Sequence, residues 1–356
     1  MTNDILLRLK PPRRFGLPRV EIEEPAAIAT SKGRLAAAPL AWSVGRRYFA
    51  GAPDIDGIGT WLYDSLGGEM ARAISGSVSG PTRLFVTSTA EMENLLLTTP
   101  WEVLEESRND LQLDEEVSLI RSFDCGKQAT TPQTIDVTLR LLVTFANPDD
   151  DIPHLDEHLQ DLRALVKTTD HAIAIEVVEL TDDATVQSAG AKFGPNIIYH
   201  IGHVEQPAPG DKVSLRIGAR GKRAYFNGAH FAQLILSLSP NILVLNACAA
   251  ISGEEMNPYL GIAREALAAA SAVVCMQTQV PTGASRRFGE ALLGDLANGV
   301  QLSRAVKHAR FAMIDGQPLG GTGLAHFTRF IPVQLACGRH APSLPVAEGE
   351  VSVTLL

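Results

Sequence analysis

Apolar positions along this chain fall into two alternating spacings. Short uninterrupted runs rich in Val, Ile and Leu occupy 82–88, 117–121, 137–145, 173–180, 196–201, 242–246, 272–276 and 331–335. Such runs are the pattern of strands buried on both faces. Between them, apolar residues recur every three or four positions, the spacing of one face of a helix. Leu155, Leu159, Leu162 and Leu165-Val166 mark a helix over 155–167, and a shorter one is expected within 181–191. Further helices are predicted over 228–238, 261–270, 285–296 and 303–313. Strand and helix in alternation predict an α/β fold, a mostly parallel central sheet flanked by helices. Crossovers of one hand then put the loops after 145, 201 and 246 on one rim.

The first 80 residues carry weaker signals. Pro11-Pro12-Arg13-Arg14-Phe15-Gly16 breaks any early element, and 51–59 reads as a Gly- and Asp-rich loop. Leu62, Leu66, Met70 and Ile74 predict a helix over 61–74, ended by the Gly/Ser run before Pro81. Pro100-Trp101-Glu102 reads as a turn or helix start, with Trp101 a buried anchor and Glu102 facing the positive end of a helix dipole. The run from Cys125 to Pro132 reads as a linker. The expected organisation is a smaller α/β lobe over 1–132, a core over 133–343 and a tail over 344–356.

Composition narrows the class. At 45% hydrophobic and 20% charged residues, the chain is that of a globular protein. No apolar run reaches the roughly 18 residues of a membrane-spanning helix, and Met1-Thr2-Asn3-Asp4-Ile5 lacks the basic start of a secretory leader. A net charge of −9 argues against direct nucleic-acid binding. Cys125, Cys248, Cys275 and Cys337 are scattered, with no CxxC pair to hold zinc. Together these predict a reduced, cytoplasmic protein with inert cysteines and one reactive one. His154 and His158 are spaced for a metal, but Asp156, Glu157 and Asp161 beside them fit a solvated helix face, and no metal is expected. No glycine-rich phosphate loop follows an early strand, so no nucleotide or other cofactor is expected.

Two of the apolar runs end in reactive residues: Asn196–Ile201 leads through Gly202 to His203, and Ile242–Asn246 leads through Ala247 to Cys248. Alone, a histidine at a strand end is usually structural, and a cysteine after an apolar strand is usually an inert core residue. Jointly they say more. One crossover separates the two strands, so they are expected to be neighbours, with both residues at the carboxyl end where reacting groups collect. A base and a thiol placed there suit nucleophilic catalysis. Their separation of 45 residues is near the roughly 50 of caspase-type enzymes. His200, three positions from His203, is assigned to the other face of the strand as a packing residue, and His230 to a helix surface.

At these residues the chain resembles the CHAT family, caspase-like cysteine proteases of clan CD. Tyr199-His200-Ile201-Gly202-His203 is similar to its histidine motif, and Leu243-Val244-Leu245-Asn246-Ala247-Cys248 to its cysteine motif. Pro100-Trp101-Glu102 resembles the segment that precedes the protease core, and 270–281 with 288–309 resembles the family's strand, proline turn and paired helices. The resemblance covers 80–340 and implies a caspase-like three-layer fold. It also implies peptide-bond hydrolysis, with Cys248 as nucleophile, His203 as acid and base, and the backbone N–H groups of Val204 and Cys248 holding the oxyanion. Val204 stands where the family usually has Gly, and Ala250 where it often has Ser or Thr.

Asp149, Asp150 and Asp151 are expected on the rim of the dyad, either lining a pocket for a basic residue or serving as a helix-entry loop. Arg216, Arg220, Lys222 and Arg223 form a basic hairpin: a solvated turn, a partner contact or a site of self-cleavage. The resemblance implies a regulated effector acting on a protein substrate in bacterial stress or antiviral defence. No tetratricopeptide repeat is present, so an activator or sensor would act in trans. The competing reading is a catalytically inactive caspase-like interaction module, and Val204 favours it.

Overall fold

The structure is a computed structural model that describes residues 3–12, 18–24, 32–34, 59–62, 64, 82–99, 101–106, 117–125, 138–168, 172–208, 211–248, 258–277, 280–314 and 332–337. One mixed sheet of 13 strands runs through it. The strands are β1 (Asn3–Lys10), β2 (Arg19–Glu24), β3 (Lys32–Arg34), β4 (Thr82–Ser88), β5 (Val117–Phe123), β6 (Thr138–Phe145) and β7 (Ala172–Glu179). Then follow β8 (Ile197–Glu205), β9 (Ser214–Ile217), β10 (Ala224–Asn227), β11 (Ile242–Cys248), β12 (Ala272–Met276) and β13 (Pro332–Cys337). The helices are α1 (Glu93–Thr98), α2 (Leu155–Thr168), α3 (Asp183–Phe193), α4 (Gly228–Leu238), α5 (Pro258–Ala266), α6 (Thr282–Ala297) and α7 (Leu302–Ala312).

The centre of the sheet is two parallel blocks joined by one reversal, and antiparallel β9–β10 and β2–β3 extend its edges. β7, β6, β8, β11 and β12 run parallel to one another. β13 runs antiparallel to β12, then pairs parallel with β5, which continues through β4 to β1. A mostly parallel sheet with helices on both faces is therefore the architecture, as the alternation predicts. The reversal has a consequence for function. The carboxyl ends of the first block share one rim, and those of the second block point to the opposite one.

The central strands form where the sequence is apolar on both faces. Ile197, Ile198, Tyr199, Ile242, Leu243, Val244, Val273 and Val274 are all at most 1% exposed. Helices α2 and α6 cover the face on which Tyr199 meets His158. Helices α3, α4 and α5 cover the other, where Phe231 meets His200. The helix ends are cut by local chemistry. Asp182 and Asn227 accept backbone N–H groups at the starts of α3 and α4, and Gly194 ends α3 in the left-handed conformation.

The N-terminal strands were not legible beforehand. Ile5, Leu7 and Leu9 alternate into the core of β1, but Leu6 is buried on the other face with Phe85, Ile120 and Ala336, which hides the period. The helix expected over 61–74 is helical at 59–62 and 64, and its remainder lies outside the described residues. So do most of the 125–132 linker and the 344–356 tail.

One further expectation, that the cysteines are reduced, needs correction. Cys125 and Cys337 are joined in a disulfide, 212 residues apart in sequence. Sequence spacing cannot show this. The parallel pairing of β5 with β13 sets Cys337 beside Phe123, two residues from Cys125. Glu102 lies, as expected, in the first turn of a helix, the 3₁₀ helix Trp101–Glu106, and its carboxylate is fully buried against Arg121.

That buried pair ties the Trp101-Glu102 segment to the sheet. Arg121 Nε donates to Glu102 Oε1 at 2.9 Å and its Nη2 to Glu102 Oε2. The guanidinium also donates to Gln277 Oε1 at 2.7 Å and to the Leu97 carbonyl at 2.7 Å, while Gln277 Nε2 donates to Glu102 Oε2 at 3.0 Å. Trp101 Nε1 donates to the Leu96 carbonyl at 3.2 Å. Both charges are 0% exposed, so neither tolerates loss of the other. Arg121→Met is expected to cost about 3–5 kcal/mol by stranding the Glu102 carboxylate. Glu102→Leu in the same chain should recover most of that, and urea denaturation of the single and double variants measures both.

Candidate functional site

β8 and β11 lie side by side in parallel register from Ile197↔Ile242 to His203↔Cys248. Register partners on neighbouring strands are about 4.8 Å apart, so the backbone brings the two expected residues together at one rim. β8 does not stop at His203. It continues to Glu205, and His203, Val204 and Glu205 pair antiparallel with Arg216, Leu215 and Ser214 of β9. β6 ends at Phe145 on that edge of β8, and the β9–β10 hairpin takes its place. Val204 is thus a buried strand residue, 1% exposed, without the left-handed conformation a glycine would permit.

The pleat separates the histidines. Tyr199, Ile201 and His203 take one face of β8, and His200, Gly202 and Val204 the other. His200 is fully buried, 3.0 Å from Thr144 Oγ1 through Nδ1 and against the Phe231 ring. A Cβ on Gly202 would lie 2.5 Å from His200 Nε2, so the residue before His203 has to be glycine for this histidine to pack. His230 pairs with Asp183 at 2.7 Å on the helix surface. The expectation of a packing His200 and a surface His230 matches these contacts.

Behind His203 and Cys248 runs a polar chain that the sequence did not single out. Asn246, two residues before Cys248, donates through Nδ2 to Tyr199 Oη at 2.5 Å and accepts through Oδ1 from Ser285 Oγ at 2.6 Å. Tyr199 Oη is 3.3 Å from His158 Nε2, and Gly289 leaves it room, since a Cβ there would approach to 2.3 Å. The chain links β8, β11, α2 and α6 below the rim. Its only signal in the sequence is polar Asn246 in an apolar strand. His158, expected on a solvated face, is 3% exposed. His154 stands outside the helix, exposed beside Glu157. Among the described residues, no group of His, Cys, Asp or Glu has the geometry to hold a metal.

The acid loop and the basic hairpin, separate expectations, are one structure. Arg216 Nη1 is 3.0 Å from Asp149 Oδ2 and Nη2 is 2.5 Å from Asp151 Oδ1, with the guanidinium 4% exposed. Arg223 pairs with Asp149 at 2.7 Å and Arg220 with Asp150 at 2.7 Å. Asn147 Oδ1 accepts from the N–H groups of Asp151 and Ile152, and the Gly221 N–H donates to the Pro148 carbonyl. Asp151 Oδ1 also lies 3.3 Å from His203 Nε2. Burial pushes the Asp151 carboxyl up. The Arg216 hydrogen bond and the charges of His203 and Arg216 outweigh that and hold it below the usual carboxylate range.

A mostly parallel α/β sheet between two helical layers, with histidine and cysteine in register at neighbouring strand ends, is a caspase-like arrangement. The CHAT domain profile matches residues 56–329, most of the chain. The chain belongs to the CHAT family, a caspase-like protease family. No curated protein sequence matches it. Two crystal structures of the Saccharomyces cerevisiae separase–securin complex, at 2.6 and 3.0 angstrom resolution, are similar to it with 16% and 15% identity and TM-scores of 0.40. The similarity covers 78% of this chain and 17% of the chain matched in each. Among the described residues, no helix is long and apolar enough to cross a membrane.

The two buried histidines make stability depend on pH. Desolvation, with the charge of Arg286, lowers His158 from 6.5 to about 4. Desolvation, with the charge of His203, lowers His200 to about 3. The unfolded chain takes up both protons near 6.5, the folded chain only near 4 and 3. Between those values the unfolded state binds more protons, so stability falls as pH drops from 6.5 toward 4. His158 alone should contribute a loss of about 3 kcal/mol over that window. Urea midpoints at pH 7, 6, 5 and 4 should fall progressively, with a shallower fall in His158→Phe.

Proposed function

We propose that the protein is a cysteine endopeptidase in which His203 and Cys248 act as a dyad. The observation that carries this reading is the in-register pairing of the two residues at the carboxyl ends of β8 and β11. Positions 244, 246 and 248 share one face of an extended strand, and Asn246 shares its face with Tyr199 and hence with His203. In the reaction, the Cys248 sulfur bonds to the scissile carbonyl carbon and its proton passes through His203 to the leaving amine. Water, deprotonated by His203, then attacks the thioester, releasing the acid and restoring the thiol. The N–H groups of Val204 and Cys248 are the proposed oxyanion donors.

The substrate is a protein and the enzyme a regulated effector in bacterial stress or antiviral defence, switched on by an activator or sensor in trans. Membership of the CHAT family supports this assignment. The competing reading, an inactive caspase-like interaction module, draws on one observation. Val204 continues β8 into its pairing with β9, where the family's glycine would leave a turn freer to form.

A peptide carrying a cysteine-directed electrophile separates the two. Wild type is expected to be labelled at Cys248, with labelling at least tenfold slower in His203→Ala and absent in Cys248→Ala. Equal labelling of wild type and Cys248→Ala, with no cleavage of a diverse peptide library, would leave the interaction module as the function.

A further inference from the structure

Beside His203 stands a second set of charges whose arrangement the dyad alone does not explain. Arg216 is the register partner of His203 on β9, so the sheet itself sets where its guanidinium emerges. That guanidinium, 4% exposed, lies among Asp149, Asp151 and, at 3.8 Å, Glu205. Arg223 takes a second oxygen of Asp149, and Tyr225 Oη donates to Glu205 at 2.8 Å. Two contacts fix Asp151 from opposite ends, Arg216 at its carboxylate and Asn147 at its backbone N–H. Its Oδ1 faces His203 Nε2 at 3.3 Å.

This inference rests on the protease reading. We propose that Asp151, held by Arg216, is the positioning residue for His203. The 3.3 Å approach is an ion-pair contact and not a formed hydrogen bond; a carboxylate can only accept, so closing that contact into a hydrogen bond places the ring proton on Nε2. Nδ1 is then the nitrogen that exchanges a proton with the nucleophile and the leaving amine. The hydrogen bond made by one ring nitrogen sets the state of the other. Asp149 and Asp151 already hold a buried guanidinium of the same chain, so the acid loop serves the histidine instead of a basic residue of the substrate.

The test uses the full chain, with Asp151→Asn and Asp151→Glu compared on two reporter peptides that carry Arg or Leu before the cut bond. Asp151→Asn is expected to lower kcat at least about tenfold on both peptides, the direction found when a carboxylate holding a catalytic histidine in its tautomer is neutralised, with KM within about twofold. Asp151→Glu should recover part of the loss. In parallel, histidine 15N spectra of Cys248→Ala are expected to show His203 protonated on Nε2, and mixed tautomers once Asp151→Asn is added. That readout needs no turnover. If no peptide is cut but the tautomer shifts as expected, the protease reading fails and the positioning role stands. An unchanged tautomer, or a rise in KM confined to the Arg peptide, overturns the proposal.

Discussion

The site depends on one register. β8 and β11 pair in parallel over seven residues, and the last pair is His203 with Cys248. The six pairs before it are apolar or fully packed, and a slip of one residue would turn every one of them to the wrong face. Burial on both faces thus specifies the placement of His203 and Cys248. Hydrophobic burial is worth about 25 cal/mol per Å² and has no direction, but the pleat converts it into one.

Polar contacts refine what burial sets. Asn246 and Tyr199 stitch β11 to β8 and, through Ser285 and His158, to the two helices above them. On the other side of His203, Arg216 gathers the acid loop. The Glu102–Arg121–Gln277 group lies farther out and joins the N-terminal segment to the end of β12, the strand beside the cysteine strand. All three networks are charged or polar, and their partners are distant in sequence.

That distance explains what could and could not be read from the chain. The central strands and most helices were legible because their apolar spacing is local. His203 and Cys248 were legible as candidates because each follows such an apolar run. β1 was not, since Leu6 and Leu7 are buried on opposite faces of a two-sided strand and break the alternation. The reversal at β13 and the Cys125–Cys337 bond are matters of topology, invisible to spacing. The acid loop and basic hairpin were each seen, but not their union, because the pairing of Asp149 and Asp151 with Arg216 spans more than 60 residues. Glu102 was legible as a first-turn acid, but not its partner Arg121, which lies on β5.

The most direct measurement is the distance between the His203 ring and the Cys248 sulfur in an experimental structure with a peptide bound in the rim. The account predicts that the two lie on one face of the sheet, with a ring nitrogen about 3–4 Å from the sulfur once substrate tightens the site. Side chains on opposite faces, or a gap that stays open with peptide bound, would contradict it.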